Sequence, residues 1–297
     1  MNDTTTQKTA GAIKSAATHR PNITPLKDLN LTNRFLFDEV MEDAETQQEV
    51  LSIILGKEIS LLSHNETEKE FRLSPLARSV RMDVFSVDEE ETVYNTEMQE
   101  RRKNDLPKRS RYYQSLLDAS LLETGIPNYN LLNQTYLIMI MTFDLFGKGK
   151  YRYTFQVQCE EIPGLYLEDG AVRIFLNTHG TNDAEVSPEL IEFLHYLEHT
   201  TDDVANVSKS NRIRKIHNRV RRVRTNEEIG VKYMQAWEEK YYDRQDALEE
   251  GREEGREEGK RDMALRFFEM GLPLEKIALA ADVDIAVIKE WVEKVPH

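Results

Sequence analysis

Two acidic residues, Asp83 and Glu97, have the residue types and the spacing that suggest chemistry in this sequence. They lie in RMDVFSVDEEETVYNTEMQ (81–99), which predicts two strands joined by the turn DEEE. Both are equally far from a turn centred near residue 90, so they face each other across the hairpin. Like charges directly opposite destabilise a strand pair, and a divalent cation between the carboxylates reverses that sign.

On spacing alone a simpler interpretation is favoured. Asp83 and Glu97 are then solvent-facing positions of ordinary antiparallel strands, where acidic side chains are common. Gln99 follows Glu97 by two residues and points to the same side of the strand. The pattern therefore leaves two interpretations open, an exposed strand face or a cation site built from Asp-(13 residues)-Glu-x-Gln.

A basic and aromatic segment, RRKNDLPKRSRYY (101–113), follows the acidic pair directly. Arginine near a helix N-terminus is unfavourable for the helix dipole, which hints at another reason for its presence. The alternative is a solvated start of a helix. The residues suited to contact backbone phosphate, with a tyrosine packing beneath them, are Lys108, Arg109, Arg111 and Tyr112 or Tyr113.

Helical and strand patterns alternate up to residue 203, which predicts an α/β fold with a mixed sheet and flanking helices. Thr32 is the predicted N-cap of the first helix, and Gly56 and Gly125 are predicted to close two others. The predicted elements are helices at 31–43 and 45–56, strand or irregular structure at 58–74, the hairpin strands at 79–87 and 92–99, a helix at 106–125, strands at 134–146, 151–157 and 171–178, and a helix at 188–203.

The sequence from residue 206 onward predicts helices alone. KSNRIRKIHNRVRRVR (209–224) is a basic amphipathic helix that either lies along DNA or pairs with the acidic segment 238–258. Residues 263–295 predict three short helices with the spacing of a helix-turn-helix. The predicted domains are a disordered tail at 1–22, an α/β core at 23–205, a basic then acidic helical extension at 206–260, and a helix-turn-helix-like tail at 261–297.

Charge, hydropathy and cysteine content limit the possible partners and location of the protein. The formal net charge is −14, but the basic clusters keep a phosphate partner open because the local field decides phosphate binding. The longest apolar run, at 136–143, predicts a buried strand and is too short to span a membrane. The single cysteine, Cys159, excludes an internal disulfide and predicts a cytoplasmic protein.

Three stretches together resemble one known family: RMDVFSVDEEETVYNTEMQ, RSRYYQSLLD, and the segment from YLIMIM to FLNTHG. They are similar to the Rpn-type recombination-promoting nucleases, also called PD-(D/E)XK nuclease family transposases, over roughly residues 25–240. The resemblance implies a restriction-endonuclease-like core and a DNA endonuclease that depends on Mg²⁺ or Mn²⁺. It implies that Asp83 and Glu97 bind the metal, with the backbone carbonyl of Met98 as a further ligand and Gln99 in the position of the family's lysine.

A third acid from the first helix is expected to complete the site, with Glu39 the first choice and Glu42 the second. Two alternatives to an endonuclease stay open. One is a catalytically inactive DNA-binding protein that keeps the nuclease fold, which Gln99 in place of lysine suggests. The other is an oligomeric interaction protein, which the net charge and the tail suggest. The expected partners are DNA and further copies of the chain bound through its C-terminal helices.

Overall fold

The chain forms two compact units, residues 1–230 and 231–297. A computed structural model describes residues 23–71, 80–122, 125 and 127–294. The prediction of a disordered tail at 1–22 lies outside the described residues. No helix within these described ranges is both long enough and apolar enough to cross a membrane.

A mixed six-stranded sheet forms the centre of the first unit, with the strand order β1-β2-β3-β4-β6-β5. The strands β1, β2 and β3 are antiparallel, β3, β4 and β6 are parallel, and β5 returns antiparallel to β6. This arrangement confirms the predicted α/β class. The strands are β1 (Leu62–Phe71), β2 (Val80–Asp88), β3 (Val93–Gln99), β4 (Thr135–Met141), β5 (Arg152–Phe155) and β6 (Ala171–Asn177).

Helices flank this sheet, and their ends follow local capping chemistry. Asn33, not the predicted Thr32, caps α1, because its side chain accepts hydrogen bonds from the backbone N–H groups of Phe35 and Leu36. Gly56 closes α2 with a left-handed φ of 68°, as predicted. The helices are α1 (Arg34–Met41), α2 (Ala44–Leu55), α3 (Leu106–Leu121), α4 (Pro188–Glu198), α5 (Asp202–Val207) and α6 (Asn211–Thr225).

Two predicted helices differ from the observed ones. The helix predicted to continue to Gly125 ends at Leu121, because Leu122 is extended. The helix predicted at 188–203 is two helices, since Thr201 is extended and its side chain caps α5 by accepting from the N–H of Val204. Neither change moves a residue of the acidic pair, which lies on β2 and β3.

The β2–β3 hairpin has the register that the sequence predicts. Its paired residues run from Val84 opposite Thr96 to Val87 opposite Val93. Asp88 fixes the turn, because its carboxylate accepts hydrogen bonds from the N–H groups of Glu90 and Thr92 and from the Tyr94 hydroxyl. The same register, continued by one residue, places Asp83 opposite Glu97.

The strand β3 is buried along its whole length. It has β2 on one side and the apolar strand β4 on the other, and the last five residues of β4 are buried as well. A strand in the middle of such a sheet is covered on both faces. A polar side chain on β3 is therefore forced into the interior, where it needs partners.

Helix α6 belongs to the first unit, which extends past the boundary near residue 205 that the sequence suggested. Its apolar stripe, Ile213, Ile216, Val220 and Val223, is buried, and the helix contacts α1 and α2. Its first arginine, Arg212, forms ion pairs with acids of the same unit: Glu49, Glu58 and Glu189. Part of the basic charge of 209–224 is thus paired with acids of the first unit.

The second unit contains most of the long helix α7 (Glu227–Glu269), followed by α8 (Leu274–Ala281) and α9 (Ile285–Glu293). Of the three short helices predicted at 263–295, the first is the end of the long α7, and the other two are α8 and α9. These helices share a small apolar core around Ala264, Ile277 and Ile288. Self-association through the C-terminal helices stays a prediction.

We expect Ile216→Ala to lower the free energy of unfolding of the first unit by about 2–5 kcal/mol, because it leaves a cavity where α6 packs. Val207→Ala is the control, since Val207 is 81% exposed and its truncation should change stability by less than about 0.5 kcal/mol. Urea unfolding of the full chain measures both. Equal stability of Ile216→Ala and wild type would contradict the assignment of α6 to the core.

Candidate functional site

Asp83 and Glu97, the acidic pair, meet where the β2–β3 ladder ends. Beyond Val84 and Thr96 no further pair of the ladder forms among the described residues, and the two carboxylates fill the gap. The backbone N–H of Asp83 donates to Glu97 Oε1 at 3.1 Å, and the N–H of Met98 donates to Asp83 Oδ2 at 3.0 Å. Each carboxylate thus accepts a hydrogen bond from a backbone N–H of the opposite strand.

The acidic pair is buried, which excludes the interpretation as an exposed strand face. Asp83 is 1% exposed and Glu97 is 0% exposed. Burial raises the pKa of both carboxyls above the usual range, and the proximity of Asp83 raises the pKa of Glu97 further. A pair of this kind at such a position costs free energy unless positive charge compensates it.

Two arginines supply that positive charge, one from each of two helices. Arg34 of α1 places Nη2 2.6 Å from Asp83 Oδ1, and Arg109 of α3 places Nη2 3.1 Å from Glu97 Oε2. Both arginines lower the pKa values of the pair, against the larger effect of burial. The expectation that only a cation lets the two carboxylates face each other is therefore wrong, because the arginines already compensate them.

Arg109 is held inside the site and not on the outer face of α3. Besides Glu97, its Nη1 donates to Gln99 Oε1 at 3.3 Å, and its Nε donates to the Tyr113 hydroxyl at 2.5 Å. Its guanidinium carbon lies 4.8 Å from the centre of the Tyr113 ring, so Tyr113 is the tyrosine that packs beneath it. Burial raises the pKa of Tyr113 to about 12, which keeps the hydroxyl protonated.

The other predicted phosphate contacts do not take part in this network of hydrogen bonds around Arg109. Lys108, Arg111 and Tyr112 are all exposed. The structure therefore separates the basic cluster into one arginine that contacts the acidic pair and a set of exposed side chains that do not share its environment.

Asp38 is the acid of α1 that the structure connects with the pair. Arg34 lies 3.5 Å from Asp38 as well as contacting Asp83, and burial together with the nearby Asp83 raises the pKa of Asp38 to about 9. The predicted Glu39 is also buried, and its backbone carbonyl accepts from Arg219, whereas Glu42 is exposed. An accessory role of Glu39 stays a prediction.

The donor set of the acidic pair fits a hard cation such as Mg²⁺. Asp83 Oδ1 is buried and makes no well-aligned hydrogen bond, although Arg34 is close. The N–H and C=O of one strand residue point the same way, so the Met98 carbonyl faces the gap that its N–H faces. No group of three or more His, Cys, Asp or Glu side chains is arranged for a metal in the described ranges. Mg²⁺ commonly uses one or two carboxylates with water and phosphate, which the pair can supply.

Three residues of the site were not found from the sequence: Arg34, Asp38 and Asn95. Asn95 is fully buried, and its side-chain amide donates to Glu97 Oε1 at 3.4 Å. The alternation Asn95-x-Glu97-x-Gln99, with three polar residues on one face of a buried strand, was the available signal for it. No local pattern connects Arg34 with a strand that begins more than forty residues later.

Comparison with known proteins identifies one family. A family model described as PD-(D/E)XK nuclease family transposase matches residues 34–251. The match begins at the arginine that contacts Asp83 and includes the whole sheet of the first unit. No curated protein and no solved structure matches the chain at a significant level.

The raised pKa of Asp38 predicts a pH dependence of stability. The folded protein keeps a proton on Asp38 that the unfolded chain releases above about pH 4, so this residue lowers stability increasingly as the pH rises from 4 to 9. Asp38→Asn removes the effect. We expect the melting temperature of the variant, relative to wild type, to increase by roughly 2–4 °C or more between pH 5 and pH 8.

Differential scanning fluorimetry at several pH values measures this shift. Val207→Ala, which removes no titratable group and lies at an exposed position, is the control and should give a difference that does not change with pH. A difference for Asp38→Asn that is also independent of pH would mean that Asp38 is ionised in the folded protein.

Proposed function

Because the chain belongs to the PD-(D/E)XK nuclease family transposases, we propose that it is a divalent-cation-dependent endonuclease that hydrolyses phosphodiester bonds of DNA. The family is one of nucleases. The cation, Mg²⁺ or Mn²⁺, the DNA substrate and a cytoplasmic setting are parts of the proposal. Sequence specificity is not part of it.

The observation that carries the proposal is the burial of Asp83 and Glu97 together at the end of a strand ladder. Arg34 and Arg109 offset part of the cost of this burial, but the oxygen Asp83 Oδ1 still lacks an aligned hydrogen-bond donor. A stable fold alone does not need two buried carboxylates at facing positions of a strand pair. Perturbed carboxyls of this kind concentrate at functional sites, which supports a catalytic role.

In the proposed site Asp83 and Glu97 hold the cation through their carboxylates, and the Met98 carbonyl is a further ligand. A divalent cation at this position supplies Lewis-acid stabilisation of the charge on the phosphate oxygens. The N–H of Met98 and the amide of Asn95 keep the carboxylates oriented by hydrogen bonds. Gln99 stands in the third motif position, two residues after Glu97.

Exposed residues of α3 are the proposed contacts to the DNA backbone. Lys108, Arg111 and Tyr112 lie on the same helix as Arg109, which reaches the acidic pair. A duplex bound along this helix would bring a phosphate toward the site. Contacts of this kind position the nucleic acid and do not read its sequence.

A second function has one observation in its favour. The arginines Arg34 and Arg109 compensate the acidic pair without a metal ion. The fold therefore does not require a bound metal, as expected of a DNA-binding protein that does not cleave. Cation-independent DNA binding with no cleavage would be the result for that alternative.

We expect Asp83→Asn and Glu97→Gln each to lower Mg²⁺-dependent plasmid nicking by about a hundredfold or more, because each removes a charge that holds the cation. Both substitutions keep the side-chain shape, and circular dichroism should report an unchanged fold. Glu89→Gln, on the exposed turn of the same hairpin, is the control and should nick like wild type. Nicking by both site variants at the wild-type rate would reject the site.

Loss of one phosphate contact should change the salt dependence of DNA binding. We expect Lys108→Gln and Arg111→Gln each to weaken DNA binding and to reduce the slope of log K against log salt concentration by about 1. Fluorescence anisotropy with a labelled duplex at several salt concentrations measures the slope. Lys57→Gln, also exposed but on the loop after α2, is the control. An unchanged slope in both α3 variants would place the DNA on another surface.

A further inference from the structure

The two arginines that compensate the acidic pair are held in different ways. Arg109 donates aligned hydrogen bonds to three groups, Glu97, Gln99 and the Tyr113 hydroxyl, and its side chain is 22% exposed. Arg34 comes close to Asp83 Oδ1, but the contact lacks the alignment of a hydrogen bond, and its side chain is 42% exposed. Arg109 is thus held in the site by three aligned hydrogen bonds, whereas Arg34 approaches Asp83 without one.

Gln99 is the residue that allows Arg109 to stay there. Its amide oxygen accepts from Nη1 of Arg109, next to the bond from Nη2 to Glu97. A lysine at this position has only donors and a positive charge, so it would repel the guanidinium and compete for Glu97. Glutamine and arginine therefore fit together here, and lysine and arginine do not.

From these contacts we infer that Arg109 supplies the fixed positive charge that lysine supplies in E-x-K sites, and that Gln99 is its positioning residue. The third motif position on β3 is thus neutral, and the positive charge comes from α3. Asp83 and Glu97 remain the cation ligands, so this inference rests on the proposed function and assigns the group that accompanies the cation.

The geometry leaves Arg109 able to act on a phosphate. A guanidinium has more N–H donors than the three contacts use, so a phosphate oxygen can be bound while Glu97 and Gln99 are still held. Tyr113 supports the guanidinium from below, which limits the side-chain entropy lost on binding. Lys108 and Arg111 are exposed and do not share these contacts.

The test is an exchange of charge between the two positions. Gln99→Lys alone puts two positively charged side chains beside Glu97, and we expect the melting temperature to fall by roughly 2–4 °C or more. Arg109→Met alone leaves Glu97 without a positively charged side chain beside it. We expect a similar loss of stability and roughly a hundredfold loss of nicking. In the double variant Gln99→Lys/Arg109→Met, one positively charged side chain again faces Glu97. We therefore expect the double variant to be more stable than either single variant. It should also nick DNA at least about tenfold faster than Arg109→Met.

Gln99→Lys combined with Lys57→Met is the matched control, because it has the same total charge, leaves Arg109 in place and changes none of the proposed DNA contacts, and it should show no recovery. Additive losses in the double variant, with no recovery of melting temperature or of nicking, would overturn the inference. Thermal stability also separates the two proposals. Recovery of stability in a protein that never nicks would reject the endonuclease while retaining the coupling of Gln99 and Arg109.

Discussion

The structure of the first unit depends on one electrostatic constraint, two carboxylates buried at facing positions where a strand ladder ends. Neither Asp83 nor Glu97 can reach solvent, and each is in contact with the backbone of the other strand. An uncompensated pair at this depth would cost several kcal/mol. The pair therefore needs positive charge from the surrounding helices.

Helices α1 and α3 meet this need from separate segments of the chain. Arg34 begins α1 and Arg109 lies in the first turns of α3, where an arginine is unfavourable for the helix dipole. The basic helix α6 in turn holds α1 in place, through its apolar stripe and through a hydrogen bond from Arg219 to the backbone carbonyl of Glu39. The site thus depends on three helices that surround one buried strand pair.

The hairpin was predictable because its information is local. The turn DEEE and the equal spacing of Asp83 and Glu97 from it fixed the register, and the mixed α/β class followed from alternating patterns. Burial of the pair was not predictable from spacing, because an acid on an antiparallel strand is usually exposed. Burial depends on distant parts of the chain: β4, which begins more than thirty residues after β3 ends, makes β3 a central strand, and Arg109 of α3 contacts Glu97.

Other parts of the site depend on contacts that no short pattern encodes. Asp38 and Glu39 are neighbours in the sequence. The rotation of α1 about its axis decides which of the two contacts Arg34 together with Asp83. The partnership of Gln99 and Arg109 joins a strand to a helix ten residues later, so a glutamine that looked like a weakened catalytic position is the acceptor for an arginine. The apolar stripe of α6 was visible, but not that α1 and α2 would cover it.

The central claim is that the acidic pair binds a divalent cation, and calorimetric titration with Mn²⁺ tests it without any nucleic acid. The account predicts a saturable isotherm for the wild-type protein that is lost in Asp83→Asn and in Glu97→Gln, with Glu89→Gln binding like wild type. Equal Mn²⁺ binding by wild type and both site variants, or no binding by the wild type, would contradict it.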